Sequence, residues 1–359
     1  MLLSILSFIA ILAILVVIHE FGHFGVAKLC GMRVDEFAFG FPPRLFGRQR
    51  GDTMYAINAI PLGGYVKLHG EGAEHDDGDP RSFHNKPLLA RIAVIVAGVV
   101  MNVLLAFVVL SVAFGVGFSS IRQDLTKVPG SRVVKNDVYT AEILQNSAAD
   151  KAGLQAGDTL KALNDAPIVS DSQLQSATKS LQAAGTLDAK LTYLRSGKEA
   201  TLPVRLAASG PALGIGLDMQ QVVRVPFYRS PQVAAKEVAA IVGLTWDALK
   251  GFGAQLFVHG KLDPTVSGPI GIYKATAAAT HTGIIPTVFL LVALSLNLAI
   301  MNILPIPALD GGRLVFLLIE AVFRKRVIAE RIENIVNTAG FALIMVLILV
   351  LSVRDIIHF

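Results

Sequence analysis

The sequence predicts an α-helical polytopic membrane protein with four transmembrane helices and one inserted α+β domain. The 359-residue chain is 53% hydrophobic and only 16% charged, whereas a soluble domain carries about 25% charged residues. The chain also contains four apolar runs of the length, about 20 residues, that a helix needs to cross a bilayer. Between the second and third runs lies a long segment in which strand-like and helix-like patterns alternate, and this segment is the predicted α+β domain.

The four predicted spans are defined by their apolar runs. They extend from Leu2 to about Ala27, from Leu88 to about Phe114, from about Ile285 to Ile303, and from about Ile335 to Val353. The first run does not have the pattern of a cleavable signal peptide, because no basic residue precedes it and no small-residue cleavage site follows it. We therefore expect it to be retained as a helix.

Basic residues predict the orientation of the spans. They are concentrated in the loop between spans one and two and in the loop between spans three and four: Lys28, Arg33, Arg44, Arg48, Arg50, Lys67, Arg81, Lys86 and Arg91, then Arg313, Arg324, Lys325, Arg326 and Arg331. Loops rich in Lys and Arg stay in the cytoplasm, so the N-terminus and the segment from about 115 to 286 are expected outside. Spans one and three then both run inward, and their C-terminal ends lie at the same membrane face.

Cysteine content and charge distribution exclude two other kinds of site. Cys30 is the single cysteine, so the chain has neither an intramolecular disulfide framework nor a cysteine-rich metal site. The net charge is +5, but no basic stripe with interleaved aromatic residues is present, and such a stripe is typical of nucleic-acid binding. We therefore expect no nucleic-acid partner.

Three ionisable residues stand near the end of the first span, in the motif HEFGH. His19 and His23 are four residues apart, so on a helix both imidazoles lie on one face and can bind one ion. Glu20 can act as a general base without binding the metal, as in the His-Glu-x-x-His pattern of zinc metalloproteases. The alternative is a chance pentapeptide whose polar groups are satisfied by neighbouring helices. Each ionisable residue within a span costs ~2.5–3.5 kcal/mol, which favours the metal site.

A zinc site of this kind takes a third protein ligand and a water, and Asp310 is the best-placed candidate. It lies in the motif NILPIPALDGG, at the inner end of the third span, which the predicted orientation brings to the same face as His19 and His23. The alternative is a turn residue, because Asp-Gly-Gly after two prolines is typical of turns. The two roles are compatible.

HEFGH, NILPIPALDGG and the external domain together resemble the site-2 protease family of intramembrane zinc metalloproteases, and in particular the bacterial regulator-of-sigma-E protease group. The resemblance implies that His19, His23 and Asp310 bind one Zn²⁺ and that Glu20 activates water. It implies hydrolysis of a peptide bond within or next to the transmembrane segment of single-pass proteins, such as anti-sigma factors or remnant signal peptides. It further implies a multi-pass protein of the bacterial inner membrane, with the active site towards the cytoplasm.

The predicted organisation has four parts. Residues 1–114 hold the first two spans with a β region at 37–68, and residues 127–207 resemble a permuted PDZ domain. An amphipathic linker on the outer face, 208–284, precedes the last two spans at 285–359. A PDZ-like domain can bind a peptide terminus by strand addition, or it can exclude bulky substrates sterically, and both roles remain open.

Five further residues are weaker candidates for substrate binding. Gly63, Gly64 and Tyr65 belong to an ordinary cytoplasmic hairpin or, as the resemblance implies, to a membrane-associated β element whose edge holds an unwound substrate. Asn297 and Asn302 in the third span either join helices through hydrogen bonds or contact the substrate and stabilise an oxyanion.

Two other classes of function are weighed against the protease. A zinc transporter should repeat polar residues along a path across the membrane, whereas the histidines and carboxylates of this chain cluster at one end of the spans. A non-catalytic scaffold with a peptide-binding domain would need neither Glu20 nor Asp310.

Overall fold

The computed structural model describes residues 2–71, 78–195, 197–259, 268–325 and 327–357. The chain divides into two units, one formed by Met1–Leu110 with Ala234–Phe359 and the other by Ser111–Val233.

Among the described residues, four helices have the length and apolarity of membrane spans, which is consistent with the predicted polytopic membrane protein. The candidate spans are Leu2–Leu29, Leu88–Val116, Ile284–Ile303 and Arg331–Ile357. The last helix is several residues longer at each end than its apolar run, because backbone hydrogen bonding continues through polar turns that the hydropathy pattern does not include. The helices of the first unit are α1 (Leu2–Leu29), α2 (Leu88–Val116), α5 (Ser230–His259), α6 (Pro269–Thr282), α7 (Ile284–Ile303), α8 (Asp310–Phe323) and α9 (Glu330–Ile357).

Between α1 and α2, two long strands fold back on each other into a sheet of four segments. The strands are β1 (Val34–Arg50) and β2 (Thr53–Leu68). Residues 36–39 pair on one side with 64–67 and on the other side with 54–57, and residues 44–50 pair with 53–58. Residues 64–68, here called the edge segment, therefore form one edge of this sheet, and 44–50 form the other.

Helix α6 packs against α1, α7 and α9. Its N-terminal backbone N–H groups at Gly268 and Gly271 both donate to Oδ2 of Asp355, at 2.9 Å each. A carboxylate at a helix N-terminus satisfies orphan donors and complements the helix dipole. Asp355 therefore fastens the end of α9 to the start of α6.

The second unit contains a six-stranded antiparallel sheet with the order β7-β6-β4-β3-β8, in which β5 pairs with β4. Its apolar core is built from alternate residues of the strands and from the inner face of α4, and it includes Val138, Leu160, Leu174 and Leu191. The elements are β3 (Arg132–Ile143), α3 (Ala148–Ala152), β4 (Thr159–Leu163), β5 (Ala166–Pro167), α4 (Asp171–Ala183), β6 (Asp188–Arg195), β7 (Lys198–Arg205) and β8 (Ile215–Arg224).

The sheet does not end at residue 207, where the sequence suggested a domain boundary. Strand β8 pairs with β3 from Ile215 to Arg224, so the segment expected to be a linker begins with a strand of this sheet. The boundary was misplaced because β8 pairs with a strand far away in sequence, which local patterning does not reveal. Helix α5, the amphipathic part of that segment, carries a half-exposed Trp246.

Candidate metal centre

His19, His23 and Asp310 converge on one point. Nε2 of His19 lies 3.2 Å from Oδ2 of Asp310, and Nε2 of His23 lies 3.3 Å from the same oxygen. The two Nε2 atoms are themselves 3.2 Å apart. These three residues form a group able to hold a metal ion. The two sequence motifs, which lie at opposite ends of the chain, thus meet in the structure.

The start of α8 positions Asp310. After α7 ends, the chain turns through Ala308, whose φ is +73° and whose backbone N–H donates to Oδ1 of Asn337 at 3.3 Å. Gly311 then lies directly against the chain it has just left, since a Cβ there would be 2.3 Å from the carbonyl oxygen of Ile303. The glycine after Asp310 is therefore required by this close approach, which aims the carboxylate at the histidines.

Hydrogen bonds at Nδ1 leave the Nε2 atoms of both histidines free. Nδ1 of His23 donates to the carbonyl oxygen of Val94 at 2.8 Å. Nδ1 of His19 lies 3.2 Å from the side-chain amide of Asn102. The amide atom nearest to Nδ1 is Nδ2, and Oδ1 of Asn102 is buried without a hydrogen-bond partner among the described residues. Oxygen and nitrogen exchange places when an amide is turned over, and in the turned orientation Asn102 would accept the Nδ1–H of His19. Both imidazoles then present an unprotonated Nε2 to the centre, the form in which histidine binds metals.

The donor set fits a cation. Two Nε2 lone pairs and a carboxylate oxygen within 3.3 Å of one another repel unless positive charge lies between them. Oδ2 of Asp310 is a buried atom with no hydrogen-bond partner among the residues that the structure describes. Two imidazoles, one carboxylate and an open position for water are the ligands of a catalytic zinc site.

Helix α2 supplies the space for the imidazoles. A Cβ at Gly98 would lie 2.3 Å from Nε2 of His23 and 2.7 Å from Cε1 of His19. Any larger residue would push into the space that the two rings occupy, so the absence of a side chain at Gly98 shapes the site.

Glu20 faces the sheet. At Gly64, in the edge segment, a Cβ would lie 2.9 Å from Cγ1 of Val16 and 3.1 Å from Cγ of Glu20. The backbone of the edge segment therefore packs directly on the helix that carries the catalytic candidate. Gly63, with φ +128°, precedes it and packs against the ring of Phe41.

The two asparagines of α7 have different surroundings. Nδ2 of Asn302 lies 3.4 Å from Nε2 of His19, at the metal centre. Oδ1 of Asn297 accepts a hydrogen bond of 3.0 Å from Thr245 on α5. This contact is the interhelical bond that the packing interpretation predicts, and the structure brings only Asn302 of the two into contact with a predicted ligand among the described residues.

Residues of α2 that contact the histidines were not identified from the sequence. Asn102 is fully buried, and its backbone carbonyl accepts from Oγ of Ser295 on α7 at 2.8 Å. A signal was present: Asn102 stands alone as a polar side chain in a long apolar run, and polar residues inside spans usually have functional partners. Gly98 lies four residues earlier on the same helix, and Val94 a further four residues earlier.

Comparison with known proteins gives consistent results over nearly the whole chain. The profile of Peptidase family M50 matches residues 7–347. Zinc metalloprotease RasP of Shouchella clausii is 31% identical, and the alignment covers 98% of each chain. Regulator of sigma-W protease RasP of Bacillus subtilis is 28% identical, again over 98% of each chain. A protein of Clostridium acetobutylicum that is named as a zinc metalloprotease is 32% identical, over 96% of this chain and 94% of its own.

Proposed function

The chain belongs to Peptidase family M50, the site-2 protease family, and on that basis we propose that it hydrolyses a peptide bond within or next to the transmembrane segment of single-pass membrane proteins. Membership makes it a metalloendopeptidase with Zn²⁺ as its cofactor. The observation that carries the proposal is the meeting of His19, His23 and Asp310 beside Glu20. A transporter or a scaffold has no use for this combination at one end of the spans.

Each residue of the centre has a role in the proposed reaction. His19, His23 and Asp310 would hold the ion, which when bound would act as a Lewis acid and make water nucleophilic at neutral pH. Glu20 accepts a proton from the attacking water and delivers it to the departing amine, as a general base and then a general acid. Asn302 stands next to the ligand His19 and donates its amide N–H to the oxyanion of the tetrahedral intermediate.

The edge segment is the proposed substrate platform. A transmembrane helix resists proteolysis because its carbonyl groups are hydrogen-bonded within the helix. An extended peptide can instead add to the open edge of a sheet, where main-chain groups replace the lost hydrogen bonds. Gly64 contacts the helix beside Glu20, which supports an added strand next to the proposed general base. Gly63, Gly64 and Tyr65 are therefore assigned to substrate binding.

The proposed physiological substrate is a membrane-anchored anti-sigma factor. One relative is named a regulator of sigma-W protease, and we extend this kind of substrate to the present chain by similarity. Remnant signal peptides are a second candidate, since they are also short single-pass segments. The proposed location is the bacterial inner membrane, with the N-terminus outside and the metal centre towards the cytoplasm.

The α+β unit is proposed to be PDZ-like and to bind peptide termini. Strand β8 is an edge strand: among the described strands it pairs with β3, and near its end Val223 also forms an isolated bridge with Phe118. A cavity of about 330 Å³ is lined by α4 and β8, with Leu174, Thr178, Ile215 and Leu217 in its wall. An open edge beside an apolar groove is the arrangement that strand addition requires. Steric exclusion of bulky substrates by this unit remains compatible with such binding.

Cleavage of single-pass reporters by purified protein in detergent tests the function. Each reporter has a short outer segment, one apolar span and a cytoplasmic flank. We expect the wild type to cleave at least one of them, and the Glu20→Gln variant to retain one zinc per chain without cleaving. Cleavage by Glu20→Gln at the wild-type rate would remove Glu20 from the mechanism, and the absence of zinc from both proteins would contradict the proposed centre.

A further inference from the structure

We propose that a cavity between the edge segment and α8 binds, in extended form, the part of the substrate that leads from the scissile bond towards the cytoplasm. This cavity, here called the α8 cavity, has a volume of about 420 Å³, and its wall includes Tyr65, Val66, Lys67, Glu71, Arg313 and Ile319. The inference rests on the proposed function and specifies a binding site for the chain on one side of the cleaved bond.

The edge of the sheet faces this cavity. Successive side chains of a strand point to opposite faces of its sheet, so a cavity over one face would contact every second residue. Tyr65, Val66 and Lys67 are consecutive, and all three line the α8 cavity. The cavity therefore runs along the edge of the strand. On its other side this segment pairs with residues 34–39, and the described strands include no partner on the cavity side.

Two walls of the cavity start next to residues of the catalytic centre. Gly64, which packs on Glu20, immediately precedes the three lining residues of the edge segment. Arg313, on the opposite wall, lies one helical turn after the ligand Asp310 on α8. A peptide paired with the edge segment would therefore pass from Glu20 into the cavity without a change of direction.

The lining suits a polypeptide better than a lipid chain. Arg313 pairs with Glu71 and Arg91 pairs with Glu320, and all four side chains belong to the wall, together with apolar Phe83, Ile95, Phe316 and Leu317. An acyl chain would cover charged groups and give them no hydrogen bonds in return, which is unfavourable. An extended peptide supplies main-chain donors and acceptors to the edge segment and side chains of either character to the wall.

Disulfide mapping in the full-length protein tests this proposal. The background is Cys30→Ser with Glu20→Gln, which removes the native thiol and stops turnover. One cysteine is then introduced into α8. It replaces either Ile319, which lies in the cavity wall, or the neighbouring Leu318. The Leu318 side chain is 48% exposed and does not belong to that wall. The partner is the reporter that the wild type cleaves, with single cysteines at successive positions of its cytoplasmic flank.

We expect Ile319→Cys to form disulfides with alternate positions of the flank, because side chains alternate in an extended strand, and Leu318→Cys to form few. Equal cross-linking by both variants, or cross-links three and four positions apart as in a helix, would overturn the proposal. The control is the Cys30→Ser protein with Glu20 intact. If this control cleaves the reporter but the Ile319→Cys variant forms no cross-link, the cavity assignment fails while the protease assignment stands. If the control cleaves no reporter, the proposed function itself fails.

Discussion

Asn102 shows how a residue that binds no metal can control the centre. Its amide lies 3.2 Å from Nδ1 of His19, and its backbone carbonyl is bonded to α7 through Ser295. A partner of this kind fixes both the tautomer and the ring orientation of a metal-binding histidine. The geometry of the site therefore depends on α2 as well as on the two motifs that supply the ligands.

Replacing Asn102 should weaken zinc binding. We expect Asn102→Ala to lower the affinity for zinc about 10–100-fold, which is the usual effect of losing such a partner, because Nδ1–H of His19 is left without an acceptor. The measurement is competition for zinc with a chelator of known affinity. The matched variant Asn102→Asp keeps an oxygen acceptor and should bind zinc nearly as tightly as the wild type. Equal loss in both variants would show that Asn102 acts through packing alone.

At the scale of single elements, α8 is held at both ends by ion pairs. Arg313 in its first turn pairs with Glu71, and Glu320 near its last turn pairs with Arg91 of α2. The second Arg91–Glu320 contact is 3.1 Å, so the interaction is bidentate. Because α8 begins with Asp310, these pairs also fix the direction in which the carboxylate points.

Breaking the buried pair should loosen α8. We expect Glu320→Ala to destabilise the protein by about 3 kcal/mol, since removing one partner leaves the other charge buried and uncompensated; the Arg91 side chain is 7% exposed. Thermal unfolding in detergent and zinc retention measure the effect. The reversed pair Arg91→Glu with Glu320→Arg should recover part of the thermal stability and part of the zinc retention. Asp52→Ala is the control, because its partner Arg81 is half exposed and only a small change is expected. A similar loss in both variants would contradict the special role of the Arg91–Glu320 pair.

The elements differ in how far the sequence predicts them. The four spans follow from apolar runs, which are local features, and their predicted bounds lie within five residues of the helix ends. The sheet of β1 and β2 was expected only as a region at 37–68, because its four-segment pairing depends on two bends and on contacts between distant parts of the strands. Strand β8 was missed for the same reason. Asn102 was missed because its partner, His19, lies on another helix.

At the scale of the whole molecule, the orientation of the spans is open to a direct experiment. It rests on the concentration of Lys and Arg in two loops. The first of these loops contains the strand residues 44–50, and the segment expected on the other side of the membrane contains α4. A cysteine introduced into each of these two regions is therefore expected to lie on opposite sides of the membrane.

Labelling of intact cells tests the orientation. In a Cys30→Ser background, we expect Ser172→Cys, at the exposed start of α4, to react with a membrane-impermeant thiol reagent. Gln49→Cys, in the exposed outer strand of the other sheet, should react only after the cells are opened. Labelling of Gln49→Cys alone in intact cells would invert the proposed topology and would place the metal centre towards the outside.

The positions of the proposed zinc ligands along the chain have a consequence for biosynthesis. His19 and His23 belong to the first helix that is made, whereas Asp310 begins α8, close to the end of the chain. The centre is therefore incomplete until almost all of the protein has been translated and its third span inserted. A nascent or prematurely ended chain can bring the general base and two imidazoles into the membrane but not the third ligand. On this assignment, proteolytic activity would begin only when insertion is nearly complete, and unfinished chains would not cleave the membrane proteins around them.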